Sequence, residues 1–153
     1  HGQCGVCLMH MQGLPPTMQA QPAYRDVVAD VRDYLLSRAN ALLTQGVAHD
    51  RICLDPGVGF GKTPEHNLDL LRRQSELLTL GWPLLIGWSR KSTLGYLTGR
   101  PVEDRLAASL AAALAGIQRG AHVVRVHDVA AMVDALKIWH AAGMLSAAQE
   151  ESK

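Results

Sequence analysis

Residues 51–64 read Arg-Ile-Cys-Leu-Asp-Pro-Gly-Val-Gly-Phe-Gly-Lys-Thr-Pro, and this stretch decides the fold class. Its apolar start is typical of a buried strand that ends at Asp55. A glycine-rich loop follows, and Thr63 then precedes Pro64 in the pattern of a helix N-cap and a first helical residue. The stretch is therefore one strand-loop-helix unit with its polar residues at the carboxyl end of the strand.

The same unit recurs on both sides of this stretch. Strands are predicted at residues 6–9, 51–55, 83–88 and 121–126, and helices at 22–44, 64–80, 91–97, 102–118 and from 129 to about 139. The strands are short and apolar on both faces, which indicates an α/β fold with a parallel sheet covered by helices. The order βαβαβαβα fits a doubly wound open sheet or a (β/α)8 barrel, and both bind ligands at the carboxyl edge of the strands.

Composition and net charge argue against several classes of protein. The formal net charge is +1, so no overall field favours nucleic acid or an acidic membrane as a partner. Although 48% of the residues are hydrophobic, no run approaches the roughly 18 apolar residues of a membrane span, and the first residues lack a signal-peptide pattern. An odd count of 3 cysteines then predicts reduced thiols and a cytoplasmic location.

The cysteines allow two interpretations. Cys4-x-x-Cys7 would be half of a zinc site if His10 added a third ligand. No second Cys/His pair has metal-ligand spacing, so we favour small hydrophobic residues on buried strands and predict no protein-bound metal.

The loop after Asp55 matches neither of the two nucleotide-binding motifs that it suggests. A P-loop would need glycine where Pro56 stands, and the dinucleotide fingerprint would need its third glycine where Lys62 stands. Three glycines within five residues are more than a turn requires. We therefore expect a loop that moves over a ligand and carries Phe60 and Lys62.

Polar clusters follow the other strands as well. Asp55 ends an apolar strand, where a carboxylate is costly unless it accepts hydrogen bonds, for example from a ligand N–H group. Arg90 and Lys91 lie at the start of a predicted helix, where the macrodipole disfavours a cation by about 0.3–1 kcal/mol, so an anionic ligand is expected nearby. Arg125 and His127 share one face of the last strand, opposite its valines, and favour a phosphate or diphosphate site.

These segments together resemble a known family. The matching residues are Met9-His10-Met11-Gln12-Gly13, Leu54 to Lys62, Gly87 with Ser89-Arg90-Lys91-Ser92, Arg105-Leu106 with Ser109-Leu110-Ala111, and Arg125-Val126-His127-Asp128-Val129. In this order and spacing they are similar to the C-terminal part of the bacterial dihydropteroate synthase family, pterin-binding enzymes of folate biosynthesis that sulfonamides inhibit. Val58 and Ala108 depart from residues usual in the family.

The resemblance implies the C-terminal half of a TIM-type (β/α)8 barrel over residues 1–145, with four βα units and parallel strands, and a polar tail over 146–153. It also implies the joining of 6-hydroxymethyl-7,8-dihydropterin diphosphate to p-aminobenzoate, giving 7,8-dihydropteroate and releasing diphosphate. Mg²⁺ is expected with the diphosphate, its protein ligand lying in an N-terminal part that this chain lacks. The full-length protein is expected to be a homodimer with small-molecule substrates.

The resemblance also carries over pterin and p-aminobenzoate roles. Asp55 would bind the edge of the pterin ring, with Met9 and Gly87 lining that pocket. Phe60 would lie near p-aminobenzoate, and Ser92 would contact its carboxylate.

The resemblance also implies roles for the cationic residues. Lys91 would contact both the pterin and the p-aminobenzoate, while Arg125 and His127 would hold the diphosphate with Arg90 nearby. Lys91, Arg125 and Asp55 are thus the predicted catalytic residues. Two alternatives stay open: a methyltetrahydrofolate-binding methyltransferase barrel, and an inactive fragment of the synthase.

Overall fold

A computed structural model describes residues 3–144 of the chain. Its elements in chain order are β1 (Val6–Met9), α1 (Val27–Thr44), β2 (Ile52–Asp55), α2 (Pro64–Arg72), α3 (Ser75–Leu78), β3 (Leu85–Ile86), α4 (Ser92–Thr98), α5 (Leu106–Gln118), β4 (Val123–Val124) and α6 (Val129–Ala141). Short 3-10 turns at His49–Arg51 and Val102–Asp104 precede β2 and α5. The predicted polar tail, residues 146–153, lies outside the described residues.

The strands are parallel and neighbour one another in chain order. β1 pairs with β2 in the register Val6 to Ile52 and Met9 to Asp55, and β3 pairs with β4. A bridge between Leu54 and Leu84 joins the two pairs. A doubly wound sheet reverses its strand order at a switch point, whereas this order continues in one direction. The fold is therefore part of a (β/α)8 barrel, and the choice that the sequence left open is resolved.

The first helix begins later than predicted. Helix α1 starts at Val27 rather than at residue 22, because the Asp26 side chain caps it by accepting hydrogen bonds from the backbone N–H groups of Val28 and Ala29. Val28, Val31, Leu35 and Ala39, spaced three and four residues apart along α1, are buried. They belong to the same buried core cluster as Ile52 and Leu54 of β2 and Ile86 of β3, where full burial of one Leu contributes about 1.5–3 kcal/mol.

The second predicted helix is broken in two. The N-cap Thr63 and the N1 residue Pro64 are confirmed, and Thr63 forms a capping box with His66. The predicted continuous helix over 64–80 is wrong, because α2 ends at Arg72 and α3 starts at Ser75. Between them the buried Gln74 side chain donates hydrogen bonds to the carbonyls of Gly116 (2.8 Å) and Arg119 (3.1 Å). This contact between helices outweighs local helix propensity.

The last two strands are shorter than predicted. The ladder of β3 covers Leu85–Ile86 within the predicted 83–88, and that of β4 covers Val123–Val124 within 121–126. Helix α5 starts at Leu106 instead of residue 102, after the 3-10 turn. The short ladders of β3 and β4 are parallel, so the polar clusters that come directly after these strands lie at the same end of the sheet.

Candidate active site

The polar clusters meet at one edge of the sheet. Asp55 is the last residue of β2, while Gly87 follows β3 and Arg125 follows β4. Because the strands run parallel, their carboxyl ends lie on the same edge, where α/β proteins bind ligands. The Arg125 guanidinium lies 4.0 Å from an Asp55 carboxylate oxygen, so residues 70 positions apart in sequence face each other across the sheet.

Asp55 is buried, and a hydrogen bond and nearby cations offset part of the cost of burying its charge. Its Oδ1 accepts a 2.7 Å hydrogen bond from the backbone N–H of Gly57, and only 4% of its surface is exposed. Burial raises the pKa of Asp55, whereas the Gly57 N–H and the charges of Arg125 and Lys91 act in the opposite direction. The other carboxylate oxygen, Oδ2, faces the Arg125 guanidinium.

Gly87 leaves the space that the Arg125 side chain occupies. A Cβ atom on Gly87 would stand 2.6 Å from Nη2 of Arg125, closer than non-bonded atoms approach. The predicted alternation along the last strand is confirmed on its apolar side, because Val124 and Val126 pack with Ala113, Ile117 and Met132 of α5 and α6.

A cavity of about 640 Å³ lies at the carboxyl end of that strand. The cavity residues are Gly87, Ser89, Arg90, Lys91, Val102, Arg125, Val126 and His127. Ser89 fixes His127, since its Oγ accepts a hydrogen bond from the His127 backbone N–H at 3.1 Å and lies 2.9 Å from Nδ1 of the ring. The sequence predicted His127 at this place, but not its partner Ser89.

Lys91 connects this cavity to the glycine-rich loop. Its Nζ lies 4.1 Å from the centre of the Phe60 ring, in a cation–π contact of about 0.5–1 kcal/mol or more. Burial and the Arg125 charge lower the pKa of Lys91, and Asp55 opposes them. Lys91, Arg125 and Asp55 therefore form one electrostatically coupled group. The sequence analysis had placed these three residues in one site.

Arg90 has a carboxylate partner within the chain. Its guanidinium forms two hydrogen bonds to Asp128, at 2.7 and 3.2 Å, and its backbone adopts a left-handed φ of 59°. The pair raises the pKa of Arg90 and lowers that of Asp128. The anion expected beside the cations of residues 90–91 is thus, for Arg90, the Asp128 side chain.

Four predicted residues lie beside the cavity instead of lining it, and one of them, Asp55, faces the lining residue Arg125. Met9 pairs in register with Asp55, and Phe60 lies beneath Lys91. Ser92 is the exposed first residue of α4, directly after Lys91. The structure thus brings Met9 and Phe60 to the site through Asp55 and Lys91, and places Ser92 at its rim.

The glycine-rich loop is tied to the rest of the chain by hydrogen bonds, and its movement over a ligand stays a prediction. The Tyr24 hydroxyl donates to the carbonyl of Gly61 at 2.6 Å, and the Gly59 N–H donates to the Asn67 side chain at 2.9 Å. Lys62 is buried and donates three hydrogen bonds, one of them to His10. The sequence analysis named Lys62 as the cation of the loop but did not pair it with His10, because nothing local pairs a histidine with a lysine 52 positions away.

The cysteines do not form the half zinc site that was considered. Cys4, Cys7 and Cys53 are free thiols, and His10 contacts Lys62 instead. The favoured interpretation, small residues on buried strands, is wrong for Cys4, which precedes β1, and for Cys7, because both residues are exposed. Cys7 and Cys53 are register partners on β1 and β2, and partial desolvation of its thiol raises the pKa of Cys7 to about 11. Within residues 3–144 no group of three or more His, Cys, Asp or Glu side chains could hold a metal ion.

None of the helices in the described part of the chain is long and apolar enough to cross a membrane.

Comparison with known proteins gives consistent matches. The pterin binding enzyme family matches residues 1–127. The dihydropteroate synthase of Neisseria meningitidis serogroup B is 55% identical over 144 residues, which are 92% of this chain and 50% of that protein. Among solved structures, the dihydropteroate synthase of Stenotrophomonas maltophilia with active site-bound imidazole has a TM-score of 0.88 at 55% identity, covering 91% of this chain and 53% of that one.

A third match is the dihydropteroate synthase of Xanthomonas albilineans in complex with 7,8-dihydropteroate. Its TM-score is 0.84 at 45% identity, over 93% of this chain and 52% of that one. The chain therefore spans about half the length of the curated relatives and structures that it matches. With the family matched over residues 1–127, the chain belongs to the pterin-binding enzyme family.

Proposed function

We propose that this chain supplies one half of a dihydropteroate synthase. The enzyme would join 6-hydroxymethyl-7,8-dihydropterin diphosphate to p-aminobenzoate and release diphosphate. The observation that carries the proposal is the meeting of Asp55, Lys91 and Arg125 at one edge of the sheet. Relatives with this name, including one solved with 7,8-dihydropteroate, support it.

In this proposal the site binds the pterin at one end. Asp55 accepts hydrogen bonds from N–H groups of the ring, for which its buried carboxylate is already oriented by the Gly57 N–H. Met9, its register partner on β1, and Gly87 give the ring an apolar border. A ligand that donates to Asp55 replaces part of the solvation that the carboxylate loses on burial.

The cations act on the leaving group. Arg125 and His127 line the cavity and would hold the diphosphate, with Arg90 beside them. As the bond between the pterin methylene and the diphosphate oxygen breaks, negative charge grows on the diphosphate and the methylene becomes carbocation-like. The guanidinium and ammonium groups stabilise this charge before and after bond cleavage, so no protein nucleophile is required.

The second substrate completes the reaction. The amine of p-aminobenzoate attacks the methylene, a C–N bond forms, and the nitrogen loses a proton. Lys91 stands between the two substrates, Phe60 borders the aminobenzoate ring beneath it, and Ser92 at the rim would bind its carboxylate.

Mg²⁺ is proposed to accompany the diphosphate and to neutralise part of its charge. The described residues offer no group of three or more metal-binding side chains, and a protein ligand for the ion would come from the complementing N-terminal half. We also propose that the whole protein is a homodimer and works in the cytoplasm.

The proposal is tested by combining this chain with a complementing N-terminal half and assaying 7,8-dihydropteroate formation. Lys91→Ala is expected to lower kcat by about 10²–10³, the range for removing one charge-stabilising donor. Lys137→Ala is the matched control, because Lys137 pairs with Asp134 on the exposed surface of α6. Near-normal activity of Lys91→Ala would overturn the assignment.

A further inference from the structure

A buried lysine that the proposed reaction does not use lies beneath the loop of residues 56–62, called here the glycine loop. Lys62 is only 3% exposed. Its Nζ donates to the carbonyls of Gly57 at 2.9 Å and Phe60 at 3.0 Å, and lies 2.9 Å from Nδ1 of His10. An ammonium group has three N–H donors and no acceptor, so the charged side chain uses all of them here.

While Lys62 carries its charge, the contact with His10 fixes the tautomer of the imidazole ring. Because the ammonium can only donate, Nδ1 of His10 must accept, which requires a neutral ring with its proton on Nε2. Burial, with the Lys62 charge as a second cause, lowers the pKa of His10 to about 4. The ring of Tyr34 packs edge-on against His10 with centroids 4.9 Å apart. The acceptor for Lys62 is therefore held in place.

The carbonyls that Lys62 binds belong to the two loop residues that contact the candidate site. The N–H of Gly57 orients the Asp55 carboxylate, and the ring of Phe60 contacts Lys91. A Cβ atom on Gly57 would lie 1.8 Å from the His10 carbonyl oxygen, so this part of the loop also packs directly on the end of β1.

We infer that Lys62 is a positioning residue, which clamps the glycine loop so that Asp55 and Phe60 stand preformed at the site. A buried ammonium opposes stability unless all its donors are paired, and an apolar side chain would fill the same space without a charge. The catalytic meaning of the clamp rests on the proposed function, whereas its effect on the loop does not.

The clamp depends on pH in a defined direction. Burial, together with the charge of Lys91, lowers the pKa of Lys62 to about 7, and Asp55 opposes them. The other titratable groups around the clamp are His10, Tyr24, Tyr34 and His66, which contact one another through their rings. As pH rises through neutral, Lys62 loses one proton and its charge, so Nζ can donate to only two of its three partners, its hydrogen bonds to the loop carbonyls weaken, and the loop loosens.

The sequence offers a direct probe, because Phe60 is its only phenylalanine. Biosynthetic replacement by 4-fluorophenylalanine gives one ¹⁹F resonance that reports on the glycine loop of the 153-residue chain. The parent chain is expected to show a sharp line below pH 6 and a change of shift with a midpoint near pH 7. Lys62→Met is expected to lose that step and to broaden the line at every pH.

Two matched variants isolate the cause. Lys137→Met, on the exposed surface of α6, should leave the resonance unchanged. Lys91→Met removes the direct contact with Phe60 and one cation that lowers the Lys62 pKa, so it should move the line and keep the step, with its midpoint at a higher pH. If Lys62→Met does not fold, the parent titration and the Lys91→Met titration still decide the question.

A step that survives in a folded Lys62→Met chain, or a parent line without a step near pH 7, would overturn the clamp. The result is independent of synthase activity. A chain that shows the step but supports no dihydropteroate formation would refute the proposed function and leave the clamp in place.

Discussion

The guanidinium of Arg125 lies 4.0 Å from the carboxylate of Asp55, and the two side chains differ strongly in their exposure to solvent. The Arg125 side chain is 55% exposed and Asp55 only 5%. Arg125 therefore contacts the buried Asp55 and also exposes part of its guanidinium to the cavity. An anionic ligand can bind this exposed part while Arg125 stays beside Asp55. Asp55 and Arg125 form a link between the proposed pterin and diphosphate ends of the site.

Replacing Arg125 is expected to weaken pyrophosphate binding. One lost hydrogen bond from a charged donor is worth about 1.5–3 kcal/mol, so Arg125→Met should raise the Kd for pyrophosphate by about 10- to 100-fold in isothermal titration calorimetry. Arg38→Met, at an exposed position of α1, is the matched control. Unchanged binding in Arg125→Met would instead favour a methyltetrahydrofolate-binding methyltransferase, which has no use for a diphosphate site.

Adding one methyl group beneath Arg125 should have a similar but smaller effect. In Gly87→Ala the new Cβ would stand 2.6 Å from Nη2 of Arg125, so the guanidinium must move away from Asp55 and pyrophosphate should bind several-fold more weakly. Gly5→Ala is the control, because its Cβ would meet only the Arg51 carbonyl at an ordinary 3.7 Å. A Gly87→Ala chain that binds as tightly as the parent would show that Arg125 does not need this space.

The lowered pKa of His10 leads us to expect that the folded chain loses stability in acid. The folded pKa of His10 is lowered from 6.5 to about 4, so the folded state binds its proton less readily than the unfolded state. The stability that depends on neutral His10 is complete above about pH 6.5 and is lost as pH falls toward 4, by up to about 3 kcal/mol.

Urea unfolding between pH 4 and 7 measures this loss. His10→Asn keeps an acceptor for Lys62 but cannot titrate, so its free energy of unfolding should fall less over this range than that of the parent chain. His140→Asn, on the exposed surface of α6, is the comparison. An equal acid loss in His10→Asn and the parent would contradict the assignment to His10.

The 153-residue chain alone is expected to self-associate. In the described part of the chain each of the strands β1 and β4 has a partner on one side only, and unpaired strand edges promote association. An apolar groove of about 380 Å³ also lies between β4 and α6, lined by Val124, Arg125, Val126, Val129, Met132, Val133 and Leu136.

Light scattering during size-exclusion chromatography tests this expectation. Val133→Glu, which places a charge in the groove, should raise the monomer fraction more than Leu36→Glu on α1 does. A parent chain that is a monodisperse, cooperatively unfolding monomer at all concentrations would contradict it.

Much of the site could be predicted because it follows from strand geometry. Parallel strands bring their carboxyl ends together, and alternation along a strand separates Arg125 from the flanking valines. Asp55, Lys91 and Arg125 were therefore predictable from local sequence as members of one site. Their individual roles in substrate binding stay predictions.

Contacts between distant residues could not be predicted in the same way. Arg90 and Asp128 are 38 positions apart and His10 and Lys62 are 52 apart, and no local pattern pairs them. The start of α1 was a different error, since Asp26 directly before an apolar run is a recognisable N-cap signal. That signal marks the observed start of the helix at Val27.

The Gln74 side chain between α2 and α3 has a consequence for how the chain unfolds. Its amide holds the carbonyls of Gly116 and Arg119 at the end of α5, just before the strand that leads to Arg125. Separating these helices would take both of these hydrogen bonds from the buried Gln74 amide, at about 1–3 kcal/mol for a group left unpaired, although the Gly116 carbonyl would still accept from the N–H groups of Arg119 and Ala121. The βα units on either side of Gln74 should therefore open together as one cooperative unit, so that local fraying does not release the arginine from the acid it faces.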